Sequence, residues 1–305
     1  MTRFAQVVSS LIWIMSLHPA LADEGASGIY VPGNFGFGAG VTPSPGVYIS
    51  SGIGYYRGDI KVYTEGGKVV IDVDKRPFST ALAGLWVPET KFFGGQIGLS
   101  LASTYSYAWA HGVVTGLINE EKTVEGWGLG DTTPRVQIGW TSGYWSNTVY
   151  LTTWLPTGRY QRGFQPNTGK NRYGANIAWG VTYTEPETNL EFDSAIGVTF
   201  STANPATDYK NGDAFIWDWA VGKRFSNGLQ IGVAGYAYQQ LTADTGLGAK
   251  LGPFEGRVFG IGPHLTYNTA LMNQPVIFNF RYYREFDAKN RFEGDVATFG
   301  TTVKF

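Results

Sequence analysis

Six ionisable residues stand at alternate positions within stretches that are otherwise apolar or small. In NLEFDSAIGVTF, for example, Glu191 and Asp193 alternate with Leu190 and Phe192. If these stretches are strands, the charged side chains share one face and the apolar side chains share the other. Inside a closed sheet, such charges either tune the selectivity of a water-filled passage or pair with one another to fill a narrow interior. The candidates for this inward face are Arg135, Glu191, Asp193, Asp218, Arg281 and Glu285.

A second group of candidate residues combines tyrosines with amides. Tyr236 and Tyr238 lie on one face of the stretch that ends with Gln239 and Gln240. Tyrosine rings with neighbouring amides can hold an aromatic solute by stacking and hydrogen bonding. The same tyrosines would equally suit an aromatic girdle near the rim of a barrel, so both interpretations stay open.

Catalytic chemistry has little support in the sequence. The chain has no cysteine, which removes thiol nucleophiles and thiolate metal sites. His111 and His264 have no partner at a recognisable catalytic spacing, and neither a G-x-S-x-G elbow nor an H-E-x-x-H zinc motif is present. We therefore predict no enzyme activity, no cofactor and no metal site. A lipid-modifying enzyme that acts through His264 is a weaker alternative.

The elements that would position these residues are strands with a period of two. About twelve stretches have the length and alternation of a tilted transmembrane strand. Short connections such as VPETK and SNG separate them on one side, and long ones such as AHGVVTGLINEEKTVEGWG on the other. This asymmetry predicts an all-β fold, a transmembrane antiparallel outer-membrane β-barrel of about twelve strands, with ten or fourteen as alternatives. An even count would place both termini in the periplasm of a Gram-negative bacterium.

The two ends of the chain support this prediction. The last strand candidate places Phe299, Val303 and the terminal Phe305 on one face, which resembles the C-terminal signal read by the barrel-insertion machinery. At the other end, Arg3, an apolar run and the sequence Ala20-Leu21-Ala22 predict a secretory signal peptide over residues 1–22. The apolar run is shorter than the roughly 20 residues that a membrane-spanning helix requires.

Residues 23–45, which we call the leader, are rich in glycine and proline and do not alternate. Such a composition disfavours a regular strand ladder. The leader is therefore either a loosely ordered periplasmic segment or a plug folded into the barrel lumen. In the second case Ile29, Tyr30, Phe35 and Phe37 would line or narrow the channel. The barrel itself would comprise residues 46–305.

Composition excludes other classes of protein. Charged residues make up 15% of the chain and the formal net charge is −1, which gives no reason to predict nucleic-acid binding. The chain contains 42 glycines and 10 tryptophans. Aromatic side chains suit the lipid boundaries of a barrel, and glycine suits strands that curve or pack closely.

Several stretches resemble one known family, the meta-pathway phenol degradation (MetA-like) outer-membrane proteins. They are PGNFGFGAGVTPSPGVYI, GDTTPRVQIGW, YLTTWLPTGRYQ, NTGKNRYGANIAWGVTY and the long passage from Asn204 to Gly246. The resemblance implies an outer-membrane barrel associated with catabolic pathways for aromatic or hydrophobic compounds. It carries no catalytic residues.

We therefore expect a channel for the passive uptake of small hydrophobic or aromatic compounds. The expected partners are that solute, outer-membrane lipid and lipopolysaccharide, and the insertion machinery; the sequence does not predict an oligomeric state. The alternative is a plugged structural or surface-binding barrel without transport activity.

Overall fold

The structure is a computed structural model that describes residues 28–251 and 255–305. The predicted signal peptide, residues 1–22, and the first five leader residues lie outside the described residues. No helix in these two ranges is long and apolar enough to cross a membrane.

Fifteen strands account for the described secondary structure. They are β1 (Gly46–Glu65), β2 (Lys68–Lys75), β3 (Phe78–Val87), β4 (Lys91–Phe92), β5 (Gly95–Val114), β6 (Glu120–Leu129), β7 (Thr133–Ser142), β8 (Trp145–Trp154), β9 (Gly174–Thr184), β10 (Leu190–Ser201), β11 (Ala214–Arg224), β12 (Leu229–Gln240), β13 (Arg257–Leu271), β14 (Gln274–Lys289) and β15 (Glu293–Lys304).

Twelve of these strands form a closed antiparallel wall. The wall runs β1, β3, β5 and then β7 to β15 in order, and β15 pairs with β1 from Tyr48 opposite Lys304 to Arg57 opposite Asp295. Closure leaves the wall with no edge strand, which is the condition for a sheet to cross a hydrocarbon layer. The predicted twelve-stranded barrel is confirmed.

Side chains alternate across the wall as the sequence predicts. On β10, Phe192 and Ile196 are 43% and 40% exposed on the outside, whereas Glu191 on the inside is 0% exposed. On β11, Trp217 is 43% exposed and its neighbour Asp218 is 0% exposed. The outer face is therefore apolar and the inner face carries the polar and charged groups, which suits a wall surrounded by lipid.

Two strands extend beyond one end of the barrel. β1 and β5 are each 20 residues long, and their far halves pair with β2 and β6. We call this extension, residues 58–75 and 108–129, the outer cap. Residues 68–87 form two strands, because the chain breaks between β2 and β3 at Arg76-Pro77, where proline donates no backbone hydrogen bond. β6 was predicted to lie within a loop, because its exposed face mixes Glu121, Thr123 and Glu125 with Trp127 and Leu129 and therefore lacks a continuous apolar stripe.

The ends of the barrel differ as predicted. At the end where the cap is absent, wall strands are joined by short turns, such as Met272-Asn273 between β13 and β14. At the cap end most of the connections are long, and the segment between β8 and β9 covers residues 155–173. We call these the turn end and the loop end. Gly46 and Phe305 both lie at the turn end, where Phe305 N donates to Val47 O at 2.8 Å.

One pair of wall strands is interrupted in its middle. Between β13 and β14 the paired residues run to Ile261 opposite Arg284 and resume at His264 opposite Arg281. Gly262 and Pro263 lie in the gap. The register is the same on both sides of this gap, and the register shift between β13 and β14 lies elsewhere, between Arg257 and Phe259. None of the other wall pairs in the described chain has such a gap within its paired range. Since proline has no N–H group, Pro263 cannot contribute a hydrogen bond to the ladder at this point.

Candidate functional site: the lumen and the leader

The eight side chains that the sequence assigns to the lumen all lie on the inner face of the wall. Each is at most 6% exposed. They come from β7, β10, β11, β12 and β14, so the closed sheet brings together residues that are far apart in the chain. These residues are Arg135, Glu191, Asp193, Asp218, Tyr236, Tyr238, Arg281 and Glu285.

The described part of the leader, residues 28–45, lies inside the barrel along its length. Near the turn end, Gly40 N donates to Thr182 Oγ1 at 2.8 Å on β9. Near the loop end, Ile29 contacts Gly174, the first residue of β9, and Gly28 contacts the ring of Tyr238. The side chains of the plug hypothesis, Ile29, Tyr30, Phe35 and Phe37, are buried, none more than 4% exposed.

Asp218 on β11 binds the leader through three hydrogen bonds. Its carboxylate accepts hydrogen bonds from Tyr30 OH at 2.6 Å, Gly33 N at 3.0 Å and Phe35 N at 2.9 Å. Gly33 has a φ of +78°, a conformation that glycine adopts without strain. The turn at Gly33 thereby aims two N–H groups at one carboxylate. Hydrogen bonds to a charged acceptor are stronger than neutral ones, so Asp218 holds this part of the leader firmly.

Two neighbouring carboxylates on β10 hold the next part of the leader. Asp193 Oδ1 accepts from Gly38 N at 2.9 Å, Ala39 N at 3.1 Å and the Thr182 hydroxyl at 2.6 Å. Glu191 Oε1 accepts from Gly38 N at 3.1 Å, and Glu191 also forms an ion pair with Arg224. These acids therefore bind leader backbone as well as wall side chains.

The cationic side of the lumen contacts leader carbonyls. Arg281 on β14 donates to Gly33 O at 2.9 Å and to Asn34 O at 2.8 Å. Its Nε lies 3.3 Å from His264 Nε2, and the His264 ring stacks on Phe37 with centroids 4.0 Å apart and an interplanar angle of 9°. Arg135 on β7 faces the rings of Phe35 and Tyr150, with Cζ 5.4 and 5.1 Å from their centroids. The leader thus donates backbone N–H groups to the acidic side chains of the wall and offers backbone carbonyls to Arg281.

Glycines in the wall make room for the leader. A Cβ added at Gly222 or Gly232 would clash with Phe37, and one added at Gly174 would clash with Ile29. Tyr150, which the sequence reading did not select, donates to Ala39 O at 2.9 Å. Its inward position in the alternation of β8 was the signal that could have identified it.

The outer cap and the long loops meet over the loop end. Gly163 N donates to Gly66 O at 3.0 Å, and Lys250 Nζ donates to Gly67 O at 2.9 Å, so two loops fasten to the tip of the β1–β2 hairpin. In the first of these two loops, Gly158 N and Lys170 N each donate a hydrogen bond to the Asp131 carboxylate at 2.8 Å. Burial raises the pKa of the Asp131 carboxyl, and these two hydrogen bonds oppose that shift.

Underneath the cap is a group of aromatic and cationic side chains. Lys75 Nζ lies 4.3 Å from the Tyr63 ring centroid and 4.5 Å from that of Phe292. The Arg291 guanidinium lies 3.8 Å from the Tyr238 ring centroid. The sequence reading selected Tyr238 here but missed Lys75 and Arg291, because neither lies in a stretch with lipid-facing alternation.

The C-terminal residues of the predicted insertion signal lie on the outside of the wall at the turn end. Phe299 is 44% exposed and Phe305 is 65% exposed, and Val303 is half-buried. Among the described residues, no group of three or more histidine, cysteine, aspartate or glutamate side chains could hold a metal ion.

A closed antiparallel wall with an apolar exterior and a polar interior defines the class of protein as an outer-membrane β-barrel. The chain belongs to the family described as putative MetA-pathway of phenol degradation, whose sequence model matches residues 58–299. The family expected from the sequence motifs is therefore confirmed, and the protein is one of the bacterial outer membrane.

One solved structure supports the fold. An outer membrane channel from Pseudomonas putida F1 superposes with a TM-score of 0.64 at 13% identity, over 87% of this chain and 97% of that one. A FadL homologue from Pseudomonas aeruginosa gives 0.45 at 8% identity, covering 85% and 89%. The CymD monoaromatic hydrocarbon channel gives 0.44 at 7% identity, covering 86% and 89%. The last two likenesses are weaker. No curated protein matches the sequence.

Proposed function

We propose that the protein admits small hydrophobic or aromatic compounds passively across the outer membrane, and that the leader is the plug that closes its lumen. The observation that carries this proposal is the contact between the leader and Asp218, Asp193 and Arg281. These hydrogen bonds are numerous but reversible, which suits a gate. The family description and the channels among the similar solved structures support uptake as the function.

The lumen in this state suits a hydrophobic solute better than a polar one. The leader lies on the inner wall, and the inward carboxylates already accept hydrogen bonds from it. A polar solute would have to replace these contacts one by one. An apolar solute needs only a displaced leader or a gap in the wall, and it enters by partition rather than by hydrogen bonding.

Two routes are open to such a solute. One follows the lumen and requires the leader to move. The other passes sideways through the wall, and the interruption of the β13–β14 ladder at Gly262-Pro263 is the favoured place for it. Arg281 and His264 resume the ladder beside this interruption and both contact the leader. A movement of the leader would therefore remove contacts of Arg281 and His264 and weaken the pairing of β13 with β14 beside Gly262-Pro263. This couples the two routes.

The orientation follows the usual asymmetry of outer-membrane barrels. In the proposal the turn end, with Phe305 and the beginning of β1, faces the periplasm, and the outer cap faces the exterior. The C-terminal strand serves as the insertion signal, and lipid and lipopolysaccharide surround the wall. Transport needs no cofactor and no energy source, because the solute moves down its own gradient.

The experiment that tests the proposal compares the mature protein with a variant lacking residues 23–45 in planar bilayers. We expect rare or no openings of the intact protein and stepwise conductance of the truncated one, because removal of the leader empties the lumen. In liposomes, the intact protein should increase the uptake of radiolabelled toluene above that of protein-free liposomes. Equal conductance of both proteins would refute the plug, and no gain in toluene uptake would refute the uptake function.

A plugged structural or surface-binding barrel is the second candidate. It is favoured by the same closure, because the outer cap is fastened at Gly66 and Gly67 while the leader fills the interior. This candidate predicts no toluene uptake by either protein, even when the truncated one conducts ions. The uptake measurement therefore separates the two functions.

A further inference from the structure

Arg291 is a buried cation that forms no ion pair with any of the described residues. It lies in the connection between β14 and β15, is 9% exposed, and packs its guanidinium on the Tyr238 ring at 3.8 Å. Its Nε is buried without a hydrogen-bond partner. Within the described ranges, the guanidinium forms neither a hydrogen bond nor an ion pair. A buried charge is costly unless it is paired, so this arrangement calls for an anion.

The inward acid Glu285 interacts electrostatically with Arg291 but does not supply that anion. Glu285 accepts hydrogen bonds from Tyr56 OH at 2.8 Å and from Tyr236 OH at 2.7 Å. Its two carboxylate oxygens are thus each engaged by a tyrosine hydroxyl. Glu285 and Arg291 interact electrostatically, but the two side chains form no ion pair. The positive charge of Arg291 therefore remains available to a ligand.

The surroundings of Arg291 are aromatic. Phe292 follows it directly and packs edge-on against Tyr63 at 5.5 Å between centroids. Lys75 stands against both of these rings and adds a second positive charge. Rings with two cations at one end match a molecule that has an apolar ring and a carboxylate.

We propose that the side chains of Arg291, Tyr238 and Phe292 form a binding site for small aromatic carboxylates beneath the outer cap. The guanidinium binds the carboxylate, and the rings of Tyr238 and Phe292 contact the ring of the solute. The site rests on the proposed uptake function and deepens it, because it names the class of solute that the loop end selects before passage.

The first test uses the unaltered mature protein in detergent and two probes of nearly the same shape. Benzoate carries the charge, whereas benzamide is neutral. We expect benzoate to bind at least about tenfold more tightly in calorimetry, since a charge-assisted pair with arginine is stronger than a neutral hydrogen bond. Equal binding of the two probes, or no binding of benzoate, would overturn the site without depending on any variant.

The second test removes the charge by Arg291→Met. The control is Arg257→Met, because Arg257 pairs with Asp287 and its side chain is 40% exposed. We expect Arg291→Met to lose the preference for benzoate and to reduce benzoate uptake into liposomes about tenfold, whereas Arg257→Met changes neither. Toluene uptake should be unchanged in both variants.

The outcomes separate the site from the function. Unchanged benzoate preference in Arg291→Met would make Arg291 a purely structural residue and would overturn the site while toluene uptake persists. Failure of the unaltered protein to take up toluene would instead overturn the proposed function. If Arg291→Met does not fold, as judged by the absence of a gel band that shifts on heating, Lys75→Met serves as the second variant. It should weaken benzoate binding by several-fold, and an unchanged affinity would count against the site.

Discussion

The carboxylates of the lumen illustrate how single residues can hold a movable segment. Asp218 is 0% exposed and accepts three hydrogen bonds from the leader. A buried carboxylate requires such donors, because an unpaired charge in this environment would cost several kcal/mol. The leader and the acid are therefore interdependent: the acid needs the N–H groups, and the leader has no strand ladder of its own to satisfy them.

The fit of Phe37 gives a prediction at the same scale. A Cβ at Gly222 would clash with the Phe37 ring, which is held by stacking on His264. Gly222→Ala should therefore reduce the free energy that holds the leader in the lumen by about 1–3 kcal/mol, the usual cost of overpacking. In planar bilayers we expect channel openings to become about tenfold more frequent or more.

Two comparisons make this prediction specific to the ring. Gly84→Ala is the control, because the nearest atom to its added Cβ is Ile49 Cδ1 at 3.9 Å and the substitution should leave openings unchanged. In a Phe37→Ala background, most of the effect of Gly222→Ala should disappear, since the clashing ring is absent. A full effect in that background would mean that Gly222 acts on the wall and not on the leader.

Among the elements, β13 is the strand whose sequence departs from what a continuous wall requires. Pro263 lies in its middle with no N–H group, and the ladder to β14 is interrupted there. Proline in a sheet is usually confined to edges, and a closed barrel has none. We regard Pro263 as a local weakness of the wall at the place where Arg281 and His264 contact the leader.

Pro263→Ala should repair this interruption. The new N–H group can join the ladder, which adds about 0.5–1.5 kcal/mol to the free energy of unfolding. We expect the folded barrel to unfold at a higher temperature, measured by the shift in gel mobility on heating. If solute passes through the wall between β13 and β14, toluene uptake should also become slower. Pro134→Ala, near the beginning of β7, is the control and should change neither. A more stable protein with unchanged toluene uptake would exclude passage through the wall between β13 and β14 at Gly262-Pro263.

Some strands could be predicted from the sequence and others could not. The alternation in β10 and β11 was sufficient to place Glu191, Asp193 and Asp218 on the inner face, because lipid on one side enforces a strict period of two. β6 was not predicted, since Glu120–Leu129 lies in the outer cap, where water on the outside permits charged residues such as Glu121. The end of β5, from Ala110 to Val114, was predicted to be part of the same loop for the same reason.

At the scale of the whole molecule, the contacts of the leader were beyond the reach of local patterns. The sequence offered a plug as one of two alternatives for residues 23–45, and its glycines and prolines showed only that the leader is not a strand. Tyr30 and Asp218 are 188 positions apart, and they meet only because the wall closes around the leader. The lumen side chains were predictable from alternation, but their partners required the closed barrel.

The closed barrel also makes the orientation in the membrane testable, because the chain contains no cysteine. Leu117, at the tip of the β5–β6 hairpin, is 109% exposed, and Met272, in the β13–β14 turn, is 98% exposed. Single variants Leu117→Cys and Met272→Cys can therefore be labelled in cells with a maleimide that does not cross membranes. We expect Leu117→Cys to react in intact cells and Met272→Cys only after the outer membrane is permeabilised, since short turns face the periplasm. The unaltered protein, which lacks cysteine, controls for background labelling. The reverse pattern would invert the barrel and place the outer cap, Arg291 and the loop end of the leader on the periplasmic side, where the aromatic-acid site would meet the solute at its exit and not at its entry.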